Sequence, residues 1–357
     1  MLYAKFIYRR MYQGLQVRDS WLRREFKRCL AVLMPPDWET AKASKGWCYR
    51  WCQRYDVTDQ AKNNKKKMPL SERLPVIQAF HTWFIYSLQW SGDERSEKSG
   101  RFPGWLMFHS DQVPLPFVFG SVRTKNPKGE QCRLGQPGDG LDKRQGTVHL
   151  TIRAEGKQIV KPVLVFRGFG VKIPDTELVQ YPENISVWWQ PKAWVDSVTY
   201  RGLLEEFGEQ TAELREEHGE VMLAMDRLNA QVDPENQHAL NELNVYQVLT
   251  PPNCTDVTAP VDHHIGAALK TKVRVMYEHW IETWERTGEK KISAGERRVL
   301  LAQWVSVAWE SLKEDEYLLR QSFVQTGLLV AKDGSENHLI KMAGVEKYEV
   351  PLPKDSE

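Results

Sequence analysis

The sequence predicts an α/β fold preceded by a small all-α domain. Helical hydrophobic spacing runs through residues 20–56, short apolar and β-branched runs alternate with helical segments between 105 and 250, and the pattern beyond residue 262 is almost entirely helical. The 357 residues, 41% of them hydrophobic and 27% charged, suffice for two or three domains with a good-sized core. No run of 18 apolar residues occurs, so the sequence predicts no membrane-spanning helix.

Charge is distributed unevenly along the chain. Residues 1–67 hold 16 Lys and Arg against 6 Asp and Glu, whereas the remaining residues hold 33 against 41. The net charge of +2 therefore combines a basic head with an acidic body. A basic head of this kind favours contact with a polyanion.

The first helix predicted in the head lies in SWLRREFKRCLAVLM. Trp21, Phe26, Leu30 and Leu33 fall on one side of it at helical spacing. MPPDWETAKA follows, and its two prolines end this helix before a short second one.

A basic helix closes the head in SKGWCYRWCQRYDV. Ser44 is its predicted N-cap, and Trp47, Trp51 and Tyr55 form an apolar stripe. Helix, break, short turn and basic helix is the plan of a helix-turn-helix, whose last helix enters the major groove of DNA. A small basic bundle with a solvated face is the alternative. The residues assigned to DNA contact are Arg23, Arg24, Lys27, Arg28, Lys42, Lys45, Arg50, Arg54, Lys65, Lys66 and Lys67.

Strand-like runs follow from residue 105 onward. WLMFHSD and VMLAMD are short apolar runs that end in an acid, and NVYQVLTPP is a strand that runs into a proline turn. TVHLTIRAEGKQIVKPVLVFRG predicts a hairpin, ISVWWQP a further strand and YRGLLEEFGEQTAELREEHG a helix. Strands followed by helices indicate a mixed α/β body.

Three aspartates stand where these elements can bring them together. Asp111 and Asp226 are expected at the ends of two strands, and Asp262 at the start of an amphipathic helix. Carboxylates on neighbouring strand ends and a nearby helix start can converge on one point. The apolar stripe beside Asp262 consists of Val261, Ile265, Leu269 and Val273.

Hard oxygen ligands of this kind suit Mg²⁺ or Mn²⁺ rather than zinc. Two such ions about 3.5–4 Å apart can polarise a phosphate, activate the attacking water or hydroxyl and stabilise the leaving oxygen. A single aspartate after a strand is far more often a turn or cap residue, so the prediction depends on three of them in this order.

The segment PPNCTDVTAPVDHHIGAALK offers further candidate ligands. Successive helical residues point about 100° apart, so His263 and His264 are not expected to bind one ion, and His264 is expected to face solvent or a phosphate. Asp256 is interpreted as a turn or cap residue. Zinc ligation by the two histidines is the alternative.

Tryptophans recur at strand or helix spacing in the body and are predicted to lie in the core. Stacking of one exposed tryptophan on nucleic-acid bases is the alternative. The residues concerned are Trp188, Trp189, Trp194, Trp280, Trp284, Trp304 and Trp309.

These motifs together resemble the DDE superfamily of transposases, in the branch with pogo, Tigger and CENP-B-like proteins. MFHSDQVPL is similar to the first-acid motif of that family, VMLAMDRLNAQ to the second and LTPPNCTDVTAPVDHHIGAALK to the third. GTVHLTIRAEGKQIVKPVLVFRG resembles the hairpin of the family, and SKGWCYRWCQRYDV the closing helix of its CENP-B-type helix-turn-helix. The similarity extends over residues 15 to 280.

The resemblance implies an RNase H-like mixed sheet with flanking helices, preceded by the all-α helix-turn-helix domain. It implies a catalytic triad of Asp111, Asp226 and Asp262, in which the first two hold two Mg²⁺ or Mn²⁺ ions and the third completes the shell. The chemistry implied is hydrolytic nicking of DNA followed by transfer of the freed 3′-hydroxyl strand.

Three positions depart from the pattern of the family. Gln112 replaces the usual Glu after the first acid, and Ala259 replaces the frequent Gln before Pro260. Arg227 stands where Asn is common, beside the expected metal site, where it would change the electrostatics or bind a phosphate. None of these changes removes a ligand. The chain also begins where a first helix-turn-helix would be ending, so a truncated DNA-binding region is expected.

The predicted domains are the helix-turn-helix domain at 1–58, a basic linker at 59–69, the catalytic domain at 70–285 and a helical extension with a tail at 286–357. The expected partner is double-stranded DNA, with terminal inverted repeats as its specific form, together with a homodimer and no membrane or small-molecule substrate. The expected location is the nucleus. The alternative function is that of a domesticated, transposase-derived DNA-binding protein that does not cut.

Overall fold

A computed structural model of the chain describes residues 1–12, 17, 19–33, 42–58, 68–90, 100–117, 144–287 and 292–353. They divide between one unit of Met1–Trp83 with Ala331–Glu357 and a second of Phe84–Val330. The structure thus places 286–330, which the sequence assigned to a C-terminal extension, in the second unit. The proline break at 35–36, Lys65, Lys66 and Lys67 lie outside the described residues.

Helices make up the described secondary structure of the first unit, apart from one short turn in its C-terminal segment. Its last helix is α4, which contains Pro75. The bounds are α1 Leu2–Ile7, which continues as a π-helical stretch at Tyr8–Tyr12, α2 Asp19–Leu33, α3 Lys45–Arg54, α4 Leu70–Thr82 and a 3₁₀ turn at Asn337–Leu339.

The N-cap predicted for α3 is confirmed. The Ser44 side chain accepts a hydrogen bond from the Trp47 backbone N–H at 3.1 Å, which satisfies one of the donors that a helix start leaves unpaired. Because the cap fixes where α3 begins, it also fixes which residues of α3 face inward. Trp51 is buried and Trp47 is half-buried, whereas Tyr55 is exposed.

The buried side of α2 differs from the predicted stripe. Leu22 and Cys29 are buried, Phe26 is half-buried and Leu33 is 61% exposed. The reason is α1, whose apolar residues pack in the same cluster as Leu22 and Cys29. The sequence analysis assigned no element to this first stretch, so α2 was oriented without its main partner.

A buried acid, Glu25, lies on the packed side of α2. Its carboxylate accepts hydrogen bonds from Lys5 at 3.1 Å and from Arg28 at 2.5 Å, while its own side chain is only 8% exposed. Burial alone would raise the pKa of Glu25, but the bonds from Lys5 and Arg28 outweigh burial and hold the pKa below its ordinary value.

One six-stranded sheet organises the second unit, in the order β4–β3–β2–β1–β5–β6. β2 is antiparallel to both of its neighbours, and all other adjacent pairs are parallel. The expected hairpin, the further strands and the mixed sheet with flanking helices are confirmed. The strands are β1 Met107–Pro116, β2 Arg144–Arg153, β3 Val163–Arg167, β4 Ser186–Gln190, β5 Val221–Met225 and β6 Val245–Leu249.

Helices surround this sheet in the second unit, and several begin with a side-chain cap. Asp196, Asp233 and Ser293 each accept a backbone N–H at the start of a helix. The helices are α5 Asp175–Leu178, α6 Ser197–Gln210, α7 Ala212–His218, α8 Pro234–Glu242, α9 Thr255–Thr258, α10 Gly266–Thr287, α11 Ala294–Lys313 and α12 Glu316–Gln325. Shorter stretches are π-helical at Trp83–Gln89 and Val261–Ile265, and 3₁₀ at Gly104–Leu106 and Asn229–Gln231.

Alternation along β1 divides its side chains between two helical layers. Phe108 packs with Phe207 of α6 in the core on one face of the sheet. Val113 points to the other face, where a Cβ added at Gly266 would lie 3.3 Å from its methyl carbon. The start of α10 therefore approaches β1 closely because residue 266 has no side chain.

None of the described helices combines the length and apolar character needed to span a bilayer.

Glu25→Gln is predicted to destabilise the first unit at neutral pH. Because the folded pKa of Glu25 is lowered, its carboxylate contributes stability above its unfolded pKa of about 4.3, and this contribution is lost as the pH falls through the folded pKa. Hydrogen–deuterium exchange of peptides from 19–33 should show lower protection in the variant at pH 7 and a difference that closes in acid. Substitution of the exposed Glu72 by Gln is the matched control. Equal protection of wild type and E25Q at pH 7 would show that the Glu25 carboxylate does not stabilise the first unit.

Candidate active site

Asp111 and Asp226 lie side by side because of the register between β1 and β5. The parallel pairing of these strands ends at Ser110 opposite Met225, so the two aspartates are the next residue of each strand. Asp111 was expected at a strand end, but β1 continues to Pro116 through its pairing with β2, in which Asp111 lies opposite Leu150. Asp111 therefore has a fixed backbone on a strand, while Asp226 begins the loop after β5.

The backbone just before Asp226 is fixed at the end of β5. The carbonyl of Met225 accepts hydrogen bonds from the backbone N–H of Thr250 at 2.8 Å and from its hydroxyl at 3.2 Å. Burial raises the pKa of the Asp226 carboxyl, whereas the Gln231 side chain favours its charged form and lowers that pKa. The Oδ1 of Asp226 is buried without a hydrogen-bond partner. An acceptor in that condition costs free energy unless another group satisfies it.

Asp262 comes to the same point from the helical layer. It lies in the π-helical turn Val261–Ile265, which runs directly into α10. The predicted apolar stripe is confirmed, since all four of its residues are fully buried, and Asp262 itself is exposed beside them. The close approach of Gly266 to Val113 sets this turn against the face of β1 on which Asp111 lies.

The three carboxyls interact electrostatically. Burial, and then the charges of Asp262 and Asp226, raise the pKa of Asp111 to about 8, although the Gln112 backbone N–H donates to Asp111 Oδ1 at 2.6 Å. Burial, and then the charge of Asp262, raise the pKa of Asp226. Asp111 and Asp226 are thus partly desolvated beside like charge, which disfavours the ionisation of these two carboxyls.

The donor chemistry of this place suits a cation. No group of three or more His, Cys, Asp or Glu side chains in the described part of the chain is, however, arranged so that it could hold a metal ion. The raised pKa values of Asp111 and Asp226 and the unpartnered Oδ1 of Asp226 nonetheless indicate a local excess of acceptors that positive charge would offset. Oxygen donors alone suit Mg²⁺ or Mn²⁺.

The two histidines are engaged elsewhere. His263 Nδ1 lies 2.8 Å from the backbone carbonyl of Asp256, and His264 Nε2 lies 2.5 Å from Gln325 Oε1 of α12. The expectation that His264 faces solvent or a phosphate is wrong, because its half-buried ring bonds to α12. Asp256, which was interpreted as a turn or cap residue, lies within the short helix α9.

The sequence analysis did not identify two glutamines that lie beside these carboxyls. Gln231 is 4% exposed, and its Oε1 accepts the Leu228 backbone N–H at 2.7 Å, so it orders the loop that follows Asp226, whose charged form it also favours. Gln112 Oε1 accepts the Val195 backbone N–H at 3.4 Å. Gln112 was noted only as a departure from the family, and an amide that bonds to backbone carries no pattern of its own in a sequence.

Behind Asp111 on the same face of β1 lies His109, which is fully buried and has no hydrogen-bond partner on either ring nitrogen. Burial, and to a smaller degree His149, lower the pKa of His109 to about 3. The ring is therefore neutral and supplies no positive charge to the carboxyls.

In the first unit, every basic residue assigned to DNA contact within the described ranges is exposed. On α2, Arg28 also pairs with Glu25. Lys65, Lys66 and Lys67 lie outside the described residues. The exposed residues are Arg23, Arg24, Lys27, Arg28, Lys42, Lys45, Arg50 and Arg54.

Family comparisons match both units. Residues 143–319 match the DDE superfamily endonuclease family, a segment that contains Asp226 and Asp262 and begins after Asp111. Residues 3–61 match the Tc5 transposase DNA-binding domain. The chain therefore combines a DDE superfamily endonuclease domain with a transposase-type helix-turn-helix DNA-binding domain, and the resemblance predicted from the motifs is confirmed.

Its curated relatives include Pogo transposable element with KRAB domain from Homo sapiens, 23% identical over 284 residues, and the protein of the same name from Mus musculus, 23% identical over 282 residues. Each alignment covers 77% of this chain and 42% of the relative, so the chain spans less than half of their length.

Solved structures that resemble the chain include a pre-cleavage Mos1 transpososome, with 13% identity, a TM-score of 0.42 and coverage of 84% of this chain and 79% of that one. The mariner Mos1 paired end complex with Mg has 12% identity, a TM-score of 0.43 and the same coverage.

Asp111→Asn is predicted to stabilise the metal-free chain. Since the folded pKa of Asp111 is raised, the wild-type chain loses stability as the pH rises from about 4 towards about 8, and the variant lacks this loss. Thermal unfolding in EDTA should give D111N a midpoint higher by at least about 2 °C at pH 8, with the gap narrowing at pH 5. The exposed Glu209→Gln on α6 should not change the midpoint. A D111N midpoint at or below that of wild type at pH 8 would show that Asp111 is not destabilised by burial and by the neighbouring carboxyls.

Proposed function

We propose that this chain is a metal-dependent DNA endonuclease of the transposase type, which nicks DNA by hydrolysis and transfers the resulting 3′-hydroxyl strand. The observation that carries the proposal is the convergence of Asp111, Asp226 and Asp262, from two paired strands and a helix start, in a chain that also has a transposase-type DNA-binding domain.

In this proposal Asp111 and Asp226 would hold two Mg²⁺ or Mn²⁺ ions, and Asp262 would complete the ligand set. When bound, such ions polarise the scissile phosphate, activate the attacking oxygen and stabilise the leaving one. The protein orients the ligands. Asp111 is fixed by the β1 pairings, and the backbone just before Asp226 by the bonds of Thr250 to the Met225 carbonyl. Outer partners of this kind set ligand orientation in metal sites.

The two reactions are phosphoryl transfers at one site. In nicking, water attacks a phosphodiester and the bond to the 3′-oxygen breaks, which leaves a 3′-hydroxyl and a 5′-phosphate. In strand transfer, that 3′-oxygen forms a new bond to a phosphorus of target DNA while the 3′-oxygen of the target strand leaves. Exposed Arg227, next to Asp226, is placed to neutralise phosphate charge.

The first unit supplies DNA binding through α2 and α3. Terminal inverted repeats are the proposed specific sites, a homodimer would bring two such ends together, and the nucleus is the proposed location. Exposed basic residues on both helices support contact with phosphates, since charge neutralisation dominates affinity for DNA.

Asp226→Asn, Asp111→Asn and Asp262→Asn are each predicted to lower metal-dependent nicking at least about a hundredfold, because each removes a charged ligand. The assay uses labelled duplex DNA with Mn²⁺ and, separately, Mg²⁺, and resolves nicked strands on a denaturing gel. Asp256→Asn is the matched control, since Asp256 lies in the same segment but holds His263 through its backbone.

Absence of metal-dependent nicking by the intact chain, with DNA binding retained, would favour the domesticated DNA-binding protein over the endonuclease. Nicking by D226N at the wild-type rate would remove Asp226 from the site.

Arg50→Ala combined with Arg54→Ala is predicted to weaken duplex binding and to flatten its salt dependence. Each lost phosphate contact lowers the slope of log affinity against log salt by about 0.9. Fluorescence anisotropy with a duplex between 50 and 200 mM salt measures the slope, and the exposed Lys347→Ala is the control. An unchanged slope for the double variant would place the contact surface of the first unit away from the end of α3.

A further inference from the structure

Two loops of the second unit open on the edge of the sheet at which Asp226 lies. β1, β3, β4 and β5 run in the same direction, so their carboxyl ends share one edge. Residues 167–172 follow β3 there, and residues 191–196 follow β4. Because β3 and β4 are neighbours, these two loops are adjacent.

The loop after β4 is held rigidly by buried polar groups. Gln190 Oε1 accepts the backbone N–H of Lys192 at 2.6 Å and of Trp194 at 3.1 Å, while Gln190 Nε2 donates to Asp196 Oδ2 at 3.1 Å. The hydroxyl of Thr147 donates to the Ala193 carbonyl at 3.0 Å, and Ala193 has a φ of +51°, which few residues with a side chain adopt.

This rigid loop presents a large aromatic side chain. Trp194 is 45% exposed, contrary to the predicted core position, although its backbone is pinned on both sides. The next backbone N–H, that of Val195, donates to Gln112 Oε1 at 3.4 Å, and Gln112 directly follows Asp111. Trp194 is thus tied to the strand that carries the first aspartate.

The loop after β3 presents a second aromatic side chain. Phe169 is 78% exposed. Its neighbour Gly168 donates to the Gln190 carbonyl at 3.0 Å, and a Cβ at Gly170 would lie 3.2 Å from the Trp189 ring, so this loop packs against β4. Both glycines have positive φ values that permit this path.

The charges around the two aromatics are mainly positive. Arg167, Lys172 and Lys192 are exposed. Asp196, the acid within these loops, is occupied as the N-cap of α6 and in its bond with Gln190. Two exposed aromatic rings with three cations on adjacent loops match the requirements of an unpaired nucleic-acid strand, whose bases stack on rings while its phosphates meet cations.

We propose that Trp194 and Phe169, with Arg167, Lys172 and Lys192, form a stacking surface for unpaired bases of the DNA strand that enters the site of Asp111 and Asp226. The proposal rests on the proposed function, because that function makes DNA the substrate of the second unit. Bases within a duplex are stacked on one another and cannot lie on these rings, so the surface selects frayed or extruded nucleotides.

The test is stacking of a fluorescent base on the full chain. A single-stranded oligonucleotide with 2-aminopurine near its 3′ end is titrated with the chain in EDTA at 150 mM salt, and base fluorescence reports stacking. Trp194→Ala should weaken the quenching interaction about five- to a hundredfold, and Phe169→Ala should weaken it in the same direction. Trp194→Phe should retain most of the quenching, whereas Trp194→Leu, apolar but not aromatic, should behave like the alanine variant.

Tyr317→Ala is the matched control. Tyr317 is an aromatic residue with 76% exposure on α12, a helix whose Arg320 bonds to Glu155 in the connection between β2 and β3, at the opposite edge of the sheet. Its removal should leave quenching unchanged. Equal quenching by wild type and W194A, or by wild type and W194L, would overturn the proposal.

Asp226→Asn separates this proposal from the endonuclease activity, because it should abolish nicking and leave the quenching intact. Trp194-dependent quenching in a chain that does not nick would support the surface alone. Metal-dependent nicking together with quenching that is indifferent to Trp194 and Phe169 would overturn the surface and leave the proposed function standing.

Discussion

The parallel pairing of β1 with β5 is the constraint on which the candidate active site depends. It ends with Ser110 opposite Met225, and the next residue on each strand is an aspartate. Side chains alternate between the faces of a sheet, so the same register that sends Phe108 and Met225 into the core beneath α6 turns Asp111 towards α10. Apolar packing on one face thereby determines where the acids lie on the other.

Packing and electrostatics oppose each other at this point. Burial of the surrounding strands is favourable, but it brings three carboxyls into a partly desolvated place and raises the pKa values of two of them. The neutral ring of His109 behind Asp111 offers no compensation. Under the proposed function, cations would supply the compensating charge, and their binding would relieve the repulsion between the carboxyls.

Much of this arrangement follows from local sequence pattern. The stripe Val261–Val273 predicted the buried side of the last acid's helix, and apolar runs ending in Asp located β5 correctly. Asp111 was placed at a strand end because the apolar run stops there, yet β1 continues through pairing with β2. That continuation depends on pairing with residues 144–150, about thirty to forty positions along the chain, which a local pattern does not contain.

Other features depend on long-range contacts as well. The orientation of α2 follows from its contact with α1. His264 bonds to Gln325, which lies sixty-one positions further along the chain. The position of Gln231 depends on its bond to a backbone N–H. None of these leaves a periodicity or spacing in the sequence. For Trp194, the spacing predicted a core position, whereas polar groups that bond to its backbone hold it at the surface.

Gly266 has no side chain, yet it affects the geometry of the candidate site. The separation between the turn of Asp262 and β1 is set by the absence of a methyl group, because a Cβ there would lie 3.2 Å from the Val261 carbonyl and 3.3 Å from Val113. A survey of natural or random variants scored for activity should therefore find intolerance at a residue that binds nothing. The residues that determine the geometry of the candidate site therefore include one that carries no functional group.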